Sequence, residues 1–283
     1  MNNINSKKYE AICIGSGGTK GLLALGALHE LITKEKLIND DIKYYSGCSV
    51  GSIIVVLLAI GYNPIDILVT ICSSYFSNSF KHINFVNLKN IQGLYPNDIL
   101  KNKIEELLIQ KLGYSPTFKD IHENMGKYIM IPVYCLSEPV NKRNIYCSPE
   151  NTPNMKIIDS LVMSCNIPLV FQKVVYEGKV YIDGAYTSSF PIKELEKITP
   201  KNINILGINL RSTSNNIDSL MGYILEIMLV PIQDQDNESN LGNNIDIINL
   251  YTNKISSFNF NMTTKDKIEI FNEGINQVRD FIN

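Results

Sequence analysis

The 283-residue sequence predicts an α/β fold built on parallel strands, and three observations carry that expectation. Tyr9 to Ile14 is a short apolar strand that runs into Gly15-Ser16-Gly17-Gly18-Thr19-Lys20-Gly21 and then into a buried, helix-length segment through Ile32. Strand, glycine loop, helix is how an α/β unit opens. Ile42 to Gly47 is a second strand that turns at once into the apolar run Ile53 to Ile60. Further strand patterns, at Tyr128 to Leu136, Ile203 to Asn209 and Ile245 to Tyr251, alternate with helical ones. Parallel strands in such a series are joined by right-handed crossovers.

The remaining elements follow in order. Asn63-Pro64 opens a helix with proline at its first position. Ser73 to Tyr95 has no period and reads as an irregular segment anchored by aromatics, or as a flap over a site that also touches an apolar interface. Pro96 to Leu112 places Ile99, Ile104, Leu107, Leu108 and Leu112 on one helical side, and Thr117 caps a shorter helix through Met125. Lys142 to Cys147 is expected to pair with the strand before it, and Met155 to Cys165 is helical. Val174-Val175-Tyr176 and Val180-Tyr181-Ile182 flank Glu177-Gly178-Lys179 as a hairpin, and the second of these strands ends at Asp183-Gly184-Ala185. Ile217 to Val230 is a largely apolar helix, Asp234 to Asn244 an exposed loop, and Thr263 with Asp266 starts a last amphipathic helix. Nothing resembles a linker, so residues 1–283 are expected to form one domain, with its motifs in residues 9–210 and an extension at 211–283.

Composition narrows the function classes. Hydrophobic content of 45% and charged content of 19% are those of a soluble globular protein. A net charge of -2 gives no basic surplus for a nucleic-acid partner. The longest apolar run, Ile53 to Ile60, is far shorter than the ~20 residues a membrane span needs, and the polar start is no signal peptide. Six scattered cysteines, several of them in apolar runs, indicate a reducing, cytoplasmic setting.

Gly47-Cys48-Ser49-Val50-Gly51 is the pattern of a nucleophile elbow. A strand that turns directly into a helix strains the corner residue, requires small neighbours at Gly47 and Gly51, and sets Ser49 beside free helix N–H groups. A serine nucleophile needs a base and oxyanion donors. The three histidines, His29, His82 and His122, lack the chain order and strand-end setting of a triad base, and they lack metal-ligand spacing. A carboxylate remains: Asp183 stands at a strand end before two small residues, where it can meet the elbow or merely form an Asp-Gly turn. The Gly15 to Gly21 loop offers unscreened N–H groups to an oxyanion. A nucleotide is the alternative, but Lys20 stands where the dinucleotide fingerprint has its third glycine.

The three elements in order, Ser16-Gly17-Gly18-Thr19-Lys20-Gly21, Gly47-Cys48-Ser49-Val50-Gly51 and Asp183-Gly184-Ala185, together with Ser164-Cys165-Asn166-Ile167-Pro168-Leu169-Val170-Phe171, resemble the patatin-like phospholipase family. The resemblance implies a three-layer α/β/α fold with a mainly parallel central sheet. It also implies acyl hydrolysis of glycerophospholipids at a membrane surface without metal or cofactor, by a cytoplasmic protein in peripheral contact with that surface. Ser49 would be the nucleophile, Asp183 its base, and Gly17 and Gly18 the oxyanion hole. Lys20, Gly47, Gly51 and Gly184 would support them, and Ser16 stands where the family has its first glycine. The alternative within the same fold is a catalytically silent protein that binds lipid or a partner.

Overall fold

The structure, a computed structural model, describes residues 7–73, 89–212, 240–253 and 262–282, together with Tyr223 and Ile227. All of the expected helix at 217–230 but Tyr223 and Ile227, and most of the irregular 73–95 segment and the 234–244 loop, therefore lie outside the described residues.

Strand β1 (Tyr9–Ile14) lies in the middle of the sheet, parallel to β2 (Tyr44–Gly47) on one side and β9 (Asn204–Ser212) on the other. Beyond β9 runs β10 (Ile245–Thr252), and beyond β2 runs β4 (Tyr128–Cys135), both parallel to their neighbours. The far edge turns antiparallel: β8 (Lys179–Ile182) pairs with β4, β7 (Val174–Tyr176) with β8, and β5 (Asn144–Cys147) also with β4. This is a mainly parallel sheet with an antiparallel hairpin edge, in the order β10-β9-β1-β2-β4-β8-β7.

Strand period decides the layers. Ile12 and Ile14 face one core, with α1 (Gly21–Thr33), α2 (Val50–Ala59) and α9 (Thr264–Ile282), while Ala11 and Cys13 face another, with Phe190 and with Ile192 and Leu195 of α8 (Ile192–Ile198). Burial on both faces explains why these strands read as nearly unbroken apolar runs. The result is the three-layer α/β/α architecture expected.

Helix α9 packs on α1 at close range. A Cβ on Gly26 would collide with the Phe271 carbonyl, and one on Gly274 with the Leu23 carbonyl, so only glycine lets the two backbones meet there. Farther along the pair, Arg279 Nε donates to Glu30 Oε1 at 2.8 Å. Glu30 meets Arg279 at one end of the pair, and Thr19 and Leu22 line the same cavity as Lys267 at the other, so the two helices run in the same direction.

The remaining helices start where local chemistry dictates. In α3 (Pro64–Cys72) the Asn63 side chain accepts from the Asp66 N–H at 2.9 Å. In α5 (Phe118–Met125) Thr117 and Asp120 form a reciprocal capping box, and Thr263 and Asp266 repeat it at α9. Helix α4 (Asp98–Leu112) ends at Gly113, whose φ of 84° suits glycine. Helix α6 (Ile157–Ser164) packs on β4.

One expectation fails. The irregular segment was expected to continue through Tyr95, but Gly93–Tyr95 is a buried strand, β3, parallel to β6 (Leu169–Phe171). Three residues are too few to show alternation, and Gly93 reads as loop although its backbone presses against that of Phe171. Among the described residues, no helix is long and apolar enough to cross a membrane.

Candidate active site

The elbow is built by steric necessity. Strand β2 ends at Gly47 and α2 begins at Val50, so the chain must reverse within two residues. Ser49 takes the turn with φ 52° and ψ -124°, a conformation that costs a non-glycine residue about 1–3 kcal/mol. A side chain at Gly47 would strike the Gly51 carbonyl, and one at Gly51 would strike the carbonyls of Ile14 and Gly15. The corner is thus pressed against the end of β1, where the Cys48 N–H also donates to the Ile14 carbonyl at 3.2 Å. Ser52 Oγ donates to the Ser49 carbonyl at 2.5 Å and steadies the first turn of α2.

Asp183 follows β8 and precedes the short helix α7 (Ala185–Ser188). The structure brings it to the elbow: Ser49 Oγ donates to Asp183 Oδ2 at 3.0 Å, while the Ala185 N–H donates to Oδ1 at 2.9 Å. Serine and aspartate are both buried, 6% and 4% exposed. Burial pushes the Asp183 carboxyl up from its ordinary 3.8 to about 7, against the opposing pull of the Ala185 and Ser49 hydrogen bonds. Gly184 is glycine because a Cβ there would overlap the Pro132 carbonyl of β4.

A third segment, the end of α6, ties the two together. The Ser49 N–H donates to Ser164 Oγ at 3.1 Å. The Gly184 N–H donates to the Ser164 carbonyl at 3.0 Å and the Asp183 N–H to the Asn166 carbonyl at 2.8 Å. Asn166 is itself fixed by its side-chain amide, which donates to the Tyr181 carbonyl at 2.9 Å. These positioning residues are the ones sequence reasoning missed as individuals. The signal available was the run of small residues at 164–166.

The glycine loop lies beside the elbow. The Gly15 N–H donates to the Ile208 carbonyl at 2.9 Å and the Ser16 N–H to the Ser189 carbonyl at 2.7 Å. Ser16 is not among the residues with positive φ, so serine costs nothing at that position. Gly17 is extended, Gly18 takes φ 55°, and Gly18–Lys20 forms a single 3₁₀ turn leading into α1. Among the described residues, no backbone carbonyl accepts from the N–H of Gly17 or Gly18. Lys20 is buried, 3% exposed. His29 packs against the Phe271 ring and His122 against Tyr128, and neither lines the space in front of Ser49; His82 lies outside the described residues.

That space is a cavity of about 160 Å³ between α1, α2, α3 and α4. Gly18, Thr19 and Ser49 form part of its wall, Cys165, Ile167 and Phe171 another part, and Leu22, Leu25, Ile54, Leu57, Ile104 and Leu107 line its body. So apolar a lining suits a hydrocarbon chain and offers little to a nucleotide.

A model of the patatin-like phospholipase family matches residues 12–196, a span that holds Gly17, Gly18, Ser49 and Asp183. The chain belongs to this family. In sequence it is 30% identical over 193 residues to a probable lipid hydrolase of Invertebrate iridescent virus 6, a match that covers 67% of this chain and 64% of that relative. The chain thus spans just under two thirds of that relative. An uncharacterised protein of Acanthamoeba polyphaga mimivirus is 28% identical over 298 residues, covering 99% of this chain and 95% of its own length. In structure, the patatin-like fold is shared with VipD from Legionella pneumophila at a TM-score of 0.56 and 14% identity, over 97% of this chain and 67% of that one.

Proposed function

We propose that this chain is a lipid acyl hydrolase of the phospholipase A type, cleaving carboxylic ester bonds of glycerophospholipids through a Ser49–Asp183 dyad and an acyl-enzyme intermediate. The observation that carries the reading is the 3.0 Å contact between Ser49 Oγ and Asp183 Oδ2 on a strained elbow that opens on an apolar cavity. Membership of the patatin-like phospholipase family and the likeness to a probable lipid hydrolase support it.

In this reading the acyl chain lies along Leu22, Ile54 and Leu107, which brings its ester carbonyl to Ser49. As Oγ attacks the carbonyl carbon, Asp183 accepts its proton. The N–H groups of Gly17 and Gly18 stabilise the oxyanion of the tetrahedral intermediate, as preorganised donors do in a site that excludes water. Collapse breaks the bond to the glycerol oxygen, which leaves with the proton returned by Asp183. Water then attacks the Ser49 acyl ester, Asp183 takes a proton from it, and fatty acid departs as the proton goes back to Ser49 Oγ. A carboxyl that titrates near 7 is well matched to accepting and returning a proton at neutral pH. All six cysteines are free thiols, which supports a cytoplasmic protein that meets membrane lipid peripherally.

The test is covalent labelling with an alkyl fluorophosphonate together with fatty-acid release from mixed-chain phospholipid vesicles. The wild-type chain is expected to be labelled at Ser49 and to release fatty acid, and Ser49→Ala to do neither. An unlabelled wild-type protein, or release that persists in Ser49→Ala, overturns the reading.

A further inference from the structure

The helices that wall the apolar cavity give it a measurable depth. Helices α1 and α2 begin level with one another at its reacting end, since a Cβ on Gly21, the first residue of α1, would strike the side chain of Val50, the first of α2. Along α2 the cavity is lined by Val50, Ile53, Ile54 and Leu57, and along α4 the last residue to line it is Leu107. Leu58 and Ile60, farther along α2, are buried but do not line it. With a helical rise of ~1.5 Å per residue, Ser49 and Leu57 stand about 12 Å apart along the axis.

The far end is a built wall. Tyr62, in the turn between α2 and α3, holds both terminal leucines by their backbones. Its N–H donates to the Leu57 carbonyl at 2.9 Å, and its hydroxyl donates to the Leu107 carbonyl at 3.0 Å. The Gln110 side-chain oxygen, at 3.4 Å, is the weaker acceptor for the same hydroxyl. Lys111 Nζ stands 5.2 Å above the centre of the Tyr62 ring and adds a cation–π contact from α4. On the flank, Lys267 Nζ donates to the Ile71 carbonyl at 2.9 Å and fastens α9 to α3.

Depth and volume agree on what fits. An extended hydrocarbon advances about 1.3 Å per carbon, from standard single-bond lengths at tetrahedral angles, so a 12 Å depth takes ~9 carbons. By volume, the cavity's 160 Å³ is close to the ~150 Å³ of an apolar cavity that takes benzene, a six-carbon ligand. An acyl group whose ester carbon is fixed at Ser49 cannot slide outward. Carbons beyond the ninth must therefore buckle against Leu57 and Leu107, and forcing extra methylenes into a packed wall is unfavourable. Each methylene that does find room gains about fourfold in affinity over water.

We infer that Leu57 and Leu107, held level by Tyr62, form a stop for the acyl group, so that the protein cleaves esters of medium-length acyl groups, about six to nine carbons, in preference to palmitoyl and longer ones. This rests on the acyl-hydrolase reading and names the acyl class of its substrate. The two leucines meet the methyl end of the acyl group. Tyr62 acts through them, as a positioning residue.

The experiment compares kcat/KM for dioctanoyl- and dipalmitoyl-phosphatidylcholine, each in the same detergent micelles at equal mole fraction. Wild type is expected to prefer the octanoyl lipid at least about tenfold. Leu107→Ala opens the wall and should narrow that preference about fivefold. Tyr62→Phe keeps the ring and the backbone bond to Leu57 but loses the hydroxyl, and should narrow it about twofold. A role in folding alone would lower both rates alike and leave the ratio in place. The wild-type series and Tyr62→Phe decide the matter if Leu107→Ala does not fold. Binding of neutral 2-alkanones to Ser49→Ala protein reads the same limit without turnover, and affinity should climb about fourfold per methylene to ~9 carbons and then stop. Equal rates on the two lipids, a ratio that neither variant moves, or alkanone affinity that climbs unbroken to hexadecanone overturns the inference. If wild type hydrolyses neither lipid, the acyl-hydrolase reading fails, and the alkanone series still decides the stop.

Discussion

Replacing Asp183 by Asn should do two opposite things, and both magnitudes follow from the site. The amide keeps the shape: its oxygen still accepts from the Ala185 N–H, and its nitrogen can donate to Ser49 Oγ across the 3.0 Å gap. It cannot take a proton, so turnover should fall by about 10²–10⁴, the usual worth of a general base. Stability should move the other way. The folded carboxyl titrates near 7 instead of 3.8, so the native state holds a proton that the unfolded chain has already lost between those values. Stability therefore declines as pH rises from about 4 to about 7, and above that range the full penalty of about 4 kcal/mol is present. Asparagine carries no such penalty. Urea unfolding at pH 8.5 should find Asp183→Asn more stable than wild type by about 2–4 kcal/mol, and at pH 5 by less than about 2 kcal/mol. Equal or lower stability of the variant at pH 8.5 would mean that Asp183 is not a desolvated charge, and retained hydrolysis would mean that it is not the base.

If Asp183 is the proposed base it must be unprotonated, so kcat/KM of the wild type should rise about tenfold per pH unit below about 7 and level off above it; a flat profile from pH 5 to 8 refutes the assignment. Gly274→Val places a branched side chain against the Leu23 carbonyl, so α9 must lift from α1, at a cost of about 1–3 kcal/mol or more in urea unfolding. An unchanged midpoint would refute that close contact. Leu107→Trp fills part of the 160 Å³ cavity and should lower kcat/KM for long acyl chains about tenfold relative to butyryl esters. Equal declines on both would show that the acyl chain lies elsewhere.

What could be read from the chain alone depended on how local its cause was. The elbow was legible because a strand-to-helix reversal at Ser49 forces glycine at 47 and 51, and that constraint lies within five residues. Asp183 was legible at one remove, by its strand end and by the poor placement of the histidines. The sheet's strands showed through their unbroken apolar runs, the start of α3 through Pro64 at its first position, and the caps at Thr117 and Thr263 through residue type at a fixed offset. The β3–β6 pair was invisible because each strand has three residues and Leu169 enters its strand with φ 66°, which no leucine advertises. The contact of α9 with α1 was equally hidden, since Gly26 and Gly274 read as ordinary helix weaknesses until the two backbones are seen to meet.

The spacing of serine and aspartate is fixed by backbone and not by the two side chains. Ser49 comes from the β2–α2 corner and Asp183 from the end of β8, two elements that are not neighbours in the sheet, since β4 lies between β2 and β8. A flexible pair bridged across that gap would lose the 3.0 Å hydrogen bond readily, since water competes for both partners. Instead, Ser164 takes a hydrogen bond from each side, through its hydroxyl from the Ser49 N–H and through its carbonyl from the Gly184 N–H. Asn166 adds the Asp183 N–H and is held in turn by Tyr181. The end of α6 thereby sets the separation of the Ser49 hydroxyl and the Asp183 carboxyl, and the same segment continues through Cys165 and Ile167 into the cavity wall. Any change that shifts this turn must move the Ser49–Asp183 pair and the apolar cavity together, which is why the run of small residues at 164–166 belongs to the candidate site as much as Ser49 and Asp183 do.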